Sequence, residues 1–263
     1  MVVSPLTLVC VRAQTIASIA RRAAWHVPGR CPICGRATVF VDTGAVSFRE
    51  GLPCLWCRSV SRKRHVARVI ISVLGHDAPT AAAAVIGSGA RVHSCASGDA
   101  LARSLADCPR FSCSELVPDV PVGTLLAPGV TCQDLERLTF DAGEIDVLIS
   151  EDVLEHVRRP DVAWKEIVRV LAPGGSHVFT VPFRFDQRTE VRVRVDGDRD
   201  VHLLPEEYHG DPVRGAILAY RTYGYDLFDE LESMGLRTVM WLAQNRDRRA
   251  GIVDSAVFVS TKS

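Results

Sequence analysis

Residues 144–182 read EIDVLISEDVLEHVRRPDVAWKEIVRVLAPGGSHVFTVP. Apart from Asp146, the run 145–149 is apolar and rich in β-formers, as a parallel strand covered on both faces should be. Pro160 and Asp161 predict a helix start, because proline fits the first helical position, where a missing N–H costs nothing. Trp164, Ile167, Val168 and Leu171 then recur at i, i+3, i+4 and i+7, one apolar stripe. Pro173-Gly174-Gly175 predicts the end of that helix, since proline cannot continue it and glycine accepts left-handed backbone angles. Residues 177–181 are a second apolar run. A strand, a helix and a strand of these lengths predict a right-handed parallel crossover, and therefore an α/β doubly wound sheet.

The same stretch resembles class I S-adenosylmethionine (SAM)-dependent methyltransferases of the methyltransferase type 11 kind. The matching residues are Asp146 entering a strand, Val153-Leu154-Glu155-His156-Val157 after it, and Leu171-Ala172-Pro173-Gly174-Gly175 before the next strand. The resemblance covers about residues 88–260. It implies a Rossmann-like sheet of seven strands in the order 3-2-1-4-5-7-6 with the last strand antiparallel. It also implies SAM as cofactor and methyl transfer as the reaction.

Upstream, residues 91–95 fit strand 1. Ala96-Ser97-Gly98-Asp99 stands where the family carries a glycine-rich loop; only Gly98 remains for close backbone approach to a cofactor. Glu115 ends strand 2, 17 residues beyond Gly98, where an acid can accept hydrogen bonds from ribose hydroxyls. Residues 116–128 hold three prolines and no helical period, and 130–132 make a short strand 3. Gln133-Asp134-Leu135 resembles the family's segment beside the adenine, with Asp134 as the contact to its amino group. The expected cofactor-binding set is Ala96, Gly98, Glu115, Asp134, Leu135, Ser150 and Glu151.

Downstream, 183–215 is a long charged insertion at the carboxyl end of strand 5. A helix over 223–234 and strands over 236–242 and 254–260 complete the chain. Methyl transfer needs a base only when the acceptor must lose a proton. The candidates are His156, His202 and His209. His156 has a structural reading too, in which its ring bonds Asp152 or a backbone carbonyl and fixes the loop.

The amino-terminal third carries different chemistry. Cys31-Pro-Ile-Cys34 and Cys54-Leu-Trp-Cys57 are two C-x-x-C pairs with 19 residues between them, the spacing of a four-cysteine zinc ribbon. Gly35 suits the first knuckle; Arg58 occupies the equivalent place in the second. Short strands are expected over 38–41 and 45–48. So small a unit needs a metal to supply the stability that its core lacks; two redox pairs are the alternative. Residues 58–74 predict a helix with Val66, Val69, Ile70 and Val73 on its apolar face. Arg58, Arg62, Lys63, Arg64 and Arg68 gather on the rest, either docking the ribbon on the main domain or meeting nucleic acid phosphate. Residues 76–84 read as a linker. The expected organisation is a tail or helix over 1–27, ribbon and basic helix over 28–75, and a methyltransferase domain over 76–263.

The whole chain balances 31 basic against 31 acidic residues, which excludes a general polyanion binder. No run of 18 apolar residues predicts a membrane span. Nine cysteines, an odd number, with no basic residue ahead of the apolar start, predict a reducing, cytoplasmic setting. Two function classes stay open. One is a SAM-dependent methyltransferase acting on a small molecule, lipid or sugar, with a structural zinc. The other is a zinc-ribbon RNA-binding protein whose methyltransferase-like domain methylates RNA or is inactive.

Overall fold

The computed structural model describes residues 27–42, 47–75, 77–211, 215–243 and 247–263. The expected tail or helix over 1–27 lies outside them except for Val27. Val27–Arg30 (β1) pairs antiparallel with Ala37–Phe40 (β2). The partner of β2 therefore precedes the first knuckle; of the strand expected over 45–48, residues 45 and 46 lie outside the described residues, and Phe48–Glu50 forms a 3-10 turn. Ser61–Val73 (α1) follows the second knuckle. Ala81–Ser88 (α2) replaces the end of the expected linker. Thr80 caps it by accepting from the Ala83 amide at 3.2 Å, and the alanine run has the highest helix propensity of any residue.

The main sheet then unfolds in chain order as Val92–Ser94 (β3), Ala100–Leu105 (α3), Phe111–Glu115 (β4), Leu125–Ala127 (β5), Val130–Cys132 (β6), Ile145–Glu151 (β7), Pro160–Val170 (α4) and Leu171–Thr180 (β8). An irregular β segment follows with Glu190–Val191 (β9), Val193–Asp196 (β10), Arg199–His202 (β11), Tyr208–Asp211 (β12), Gly215–Leu218 (β13) and Arg221–Thr222 (β14). Leu227–Ser233 (α5), Leu236–Leu242 (β15) and Ala256–Lys262 (β16) close the chain. The sheet order is β15-β16-β8-β7-β3-β4-β6-β5. That is the expected 3-2-1-4-5-7-6 order read from the other edge, with β16 antiparallel to β8. One strand is added: β5 doubles back antiparallel on β6, from the proline-rich stretch that has no helical period.

The deciding stretch folds as strand, helix and strand, but α4 ends at Val170, so Leu171 and Pro173-Gly174-Gly175 belong to β8 and not to the helical stripe and its stop. Pro160 opens α4, and Ala163, Trp164, Ile167 and Val170 are its buried residues; Val168 is only partly buried against the same core. Gly174 has φ +72°, and a Cβ on Gly175 would lie 2.8 Å from the Ala172 carbonyl oxygen. Only glycine fits both positions.

Two apolar cores flank the sheet. One joins α4 and α5 to β7, β8 and β16 through Leu148, Trp164, Phe179, Leu231 and Phe258. The other joins the sheet to α1 and onward to the ribbon, through Val147, Val178, Val66, Ile70, Phe40 and Leu52. Arg64 of α1 is fully buried. It donates to the carbonyls of Leu52, Ala250 and Gly251 at 2.7–2.8 Å, and its guanidinium lies 4.3 Å from the Phe40 ring centre. One basic residue of α1 is thus spent on locking ribbon to chain terminus. No helix among the described residues is long and apolar enough to cross a membrane.

Candidate active site

The parallel strands β3, β4, β6 and β7 end side by side. At their carboxyl ends opens a cavity of about 300 Å³, where open α/β sheets bind ligands. Cys95, Glu115, Gln133, Asp134, Leu135, Asp152, Val153 and His156 line it, each from a strand end or the turn just beyond. Ile217 of β13 reaches it from the irregular segment.

The sequence-derived residues divide into two groups. Glu115, Asp134, Leu135 and His156 line the cavity. Glu115 Oε1 accepts from the Ser97 amide and from Ser97 Oγ, both at 2.7 Å, which ties the strand 2 acid to the loop holding Ala96 and Gly98. A Cβ on Gly98 would meet nothing within 4 Å, so no described residue crowds the loop at that point. Asp134 Oδ1 accepts from the Glu136 amide at 2.9 Å, a local turn. Ser150 and Glu151 turn elsewhere. Ser150 Oγ sits 2.8 Å from His177 Nε2 in the core. Glu151 bonds Arg62 at 2.7 Å and Lys63 at 3.0 Å, with its side chain 3% exposed.

This ion cluster was not legible in the sequence. Lys63 also bonds Asp99, which caps α3 through the Ala102 amide at 2.8 Å. Arg62 reaches Glu50 and Asp152, and Arg49 reaches Asp152. Burial works against the Lys63 ammonium, yet Glu151 and Asp99 raise it above its ordinary range. Burial raises the Glu151 carboxyl against the pull of Lys63 and Arg62. The basic face of α1 is therefore occupied by carboxylates at the sheet's carboxyl edge. Burial and then Glu115 push the Cys95 thiol up to about 12, so it is a neutral wall group.

A second cluster borders the cavity. Glu155 is fully buried, and no hydrogen-bond donor of another described residue reaches either carboxylate oxygen. Burial, then Asp152, raises its carboxyl. His156 Nδ1 lies 2.9 Å from the Leu218 carbonyl, the backbone partner that the structural reading of this ring anticipated. Its Nε2 lies 3.8 Å from Glu155 Oε1. His209 of β12 presents Nδ1 to the same oxygen at 3.8 Å and Nε2 to Glu207 at 3.2 Å. The irregular segment is pinned here by the Tyr220 amide donating to the Glu155 carbonyl at 2.8 Å and by Arg158 bonding Asp200 at 2.7 Å. His202 stands apart from the cavity lining, 3.6 Å from Glu206.

Far from the cavity, Cys31, Cys34, Cys54 and Cys57 converge. Cys31 and Cys57 sulfurs are 3.7 Å apart, Cys34 and Cys54 sulfurs 3.8 Å. A tetrahedral zinc with bonds of about 2.3 Å sets sulfurs about 3.8 Å apart, so the four fit that ion. Gly35 and Arg58 have φ +72° and +63°, the same left-handed turn in both knuckles.

Residues 99–179 match a family model described as a methyltransferase domain. That stretch, about a third of the chain, is similar to a methyltransferase domain. It begins at the cap of α3, just past the reduced glycine loop, and runs through β8. Solved structures of methyltransferases are similar to this chain at low identity. One is 1,6-didemethyltoxoflavin-N1-methyltransferase from Burkholderia thailandensis, 16% identical, covering 77% of this chain and 79% of that one, TM-score 0.43. Another is CalS10, an amino pentose methyltransferase from Micromonospora echinaspora, 17% identical, covering 76% and 90%, TM-score 0.44. A third is the sugar N-methyltransferase KedS8 from Streptoalloteichus, 17% identical, covering 77% and 87%, TM-score 0.45. At these values no substrate passes from them to this chain. No curated protein matches.

Proposed function

We propose that this chain binds SAM in the cavity at the ends of β3, β4, β6 and β7 and methylates a small molecule, lipid or sugar. The observation that supports this most is the meeting of Glu115 and Asp134 in one cavity beside the uncrowded loop at Gly98. Both Ser97 bonds fall on Glu115 Oε1, so Oε2 is left for ribose hydroxyls. Asp134 takes the adenine amino group, and Leu135 and Leu138 supply its apolar slot. The loop Ala96–Gly98 takes the amino-acid end by close backbone approach. Ser150 and Glu151 have no part in this proposal, because His177, Arg62 and Lys63 already hold their polar atoms.

The acceptor enters on the His156 and Ile217 side, under the irregular segment. Transfer is an in-line displacement: a lone pair of the acceptor attacks the methyl carbon as the carbon–sulfur bond breaks, and S-adenosylhomocysteine leaves. The chain's contribution is position and exclusion of water. His202, away from the cavity lining, has no role as a base in this reading. In the ribbon, Cys31, Cys34, Cys54 and Cys57 hold one structural zinc. It supplies fold stability, not chemistry, since four thiolates leave no open position.

The test is thermal unfolding of the full chain with S-adenosylhomocysteine. At a hundredfold excess over its dissociation constant, a ligand of the folded state stabilises by about 2.7 kcal/mol. A rise in midpoint larger than adenosine gives is expected. No shift at any concentration would overturn the cofactor assignment.

A further inference from the structure

The Glu155 cluster has a feature that neither a structural nor a base role explains: three acceptors face one point. The Leu218 carbonyl can only accept, so His156 donates to it through Nδ1–H, at 2.9 Å. In the neutral ring that leaves a lone pair on Nε2, the atom 3.8 Å from Glu155 Oε1. In the neutral ring that donates from Nε2–H to Glu207, at 3.2 Å, His209 Nδ1 carries the lone pair and faces Glu155 Oε1 at 3.8 Å. Glu155 itself is fully buried, with no donor from another described residue on either oxygen. The charged form of a carboxyl buried without a partner costs several kcal/mol, and burial raises this one accordingly; a cation within reach would let it ionise. Two imidazole lone pairs aimed at it give no relief.

We propose that Glu155, His156 and His209 bind a divalent transition metal of the zinc type, distinct from the ion of the ribbon. The donor set of two imidazoles and one carboxylate suits zinc, cobalt, nickel or iron better than magnesium or calcium. The three donor atoms lie within 4.8 Å of one another. Bonds of about 2.0–2.1 Å need donors about 3.4 Å apart, so the two 3.8 Å separations from Glu155 Oε1 close with small side-chain rotations. The second nitrogen of each ring is held from outside, by the Leu218 carbonyl and by the Glu207 carboxylate. Such outer partners orient metal-bound histidines and fix their tautomer.

Three protein donors leave a coordination position open, as in catalytic rather than structural zinc sites. His156 also lines the cavity. The position therefore suits an acceptor that offers an oxygen, a hydroxyl or carboxylate, whose proton the metal would loosen. His156 and His209 then act as ligands rather than as bases. The site also ties the irregular segment to the sheet, since His209 lies 54 residues beyond Glu155 in the chain. The metal assignment does not depend on the methyltransferase reading, because ion content is measured without turnover.

Cobalt distinguishes the two sites. Its thiolate complex in the ribbon shows sulfur-to-metal charge transfer, and a nitrogen–oxygen site does not. The full chain, dialysed against zinc or cobalt, is expected to hold two ions. His209→Ala, on the partly exposed β12, should lose one while the thiolate signature stays intact. Glu207→Gln should weaken the second ion about 10–100-fold without abolishing it. Glu155→Gln, which keeps the shape and removes the charge, should lose it. A wild-type chain that holds only the thiolate-bound ion, or a His209→Ala chain that keeps both, would overturn the proposal. S-adenosylhomocysteine affinity measured on the same samples separates this outcome from failure of the cofactor assignment.

Discussion

Glu115 and Glu151 occupy equivalent places: each is the last residue of a parallel strand, β4 and β7, at the carboxyl edge of one sheet. The fold uses them in opposite ways. Glu115 faces the cavity and is held only by Ser97. Glu151 is withdrawn into an ion cluster by Arg62 and Lys63, residues that lie about ninety positions earlier in the chain. A strand-end carboxylate in this topology is thus not a ligand by position alone. What docks over it decides, and here α1 places Arg62 and Lys63 at the end of β7 and not at that of β4.

The sharpest way to break this comparison is to remove one cation. Lys63→Met keeps the length of the side chain and deletes its charge. It leaves Asp99 and Glu151 short of a partner at a buried site, which costs about 3–5 kcal/mol. Glu115→Gln, at the open site, should change stability by less than about 1 kcal/mol. Denaturant midpoints read both values. Equal costs would mean that the two acids are not differently used.

Acid sharpens the same contrast. Burial holds His93 and His177 at about 3, well below the ordinary value of 6.5. Their folded forms are neutral, so the stability they carry is present above about pH 6.5 and falls as pH drops from there towards 3. The slope approaches 1.4 kcal/mol per pH unit for each histidine. Glu151 acts in the other direction, because its raised carboxyl binds a proton more readily in the folded state. Loss of stability between pH 6.5 and 4 should therefore shrink in His177→Gln, measured relative to that variant's own value at pH 7.5. An unchanged slope would mean that His177 does not set the acid sensitivity.

The sheet was legible because its signals are local. The apolar runs at 145–149 and 177–181 and the stripe on α4 each lie within one element. The four cysteines were legible for the same reason, since their spacing alone brings sulfurs together. The pairing of β1 with β2 and the capped α2 were missed, the first because half of the hairpin precedes the motif, the second because Pro79 and alanines read as a linker. Arg62 and Lys63 were read as part of a basic face; nothing in their spacing names Glu151 and Asp99 as partners. Glu155 was visible only as one letter of a motif, and its burial between His156 and His209 depends on how residues 183–222 fold back.

A smaller effect tests the ribbon. Arg58 carries φ +63° in the place where the first knuckle has Gly35. A side chain in the left-handed region costs about 1 kcal/mol, so Arg58→Gly should leave stability equal or raise it by up to that amount, read as a slightly higher midpoint. A loss beyond about 0.5 kcal/mol would show that the Arg58 side chain itself stabilises the knuckle.

The most direct measurement is calorimetric titration of S-adenosylhomocysteine into the full chain and into the Glu115→Ala, Asp134→Ala double variant. One site per chain is expected for the wild type. Each lost hydrogen-bonded carboxylate should cost about 1.5–3 kcal/mol, so the double variant should bind about a hundredfold more weakly or worse. Wild-type affinity retained in the double variant, or no binding by the wild type, would contradict the placement of the cofactor in this cavity.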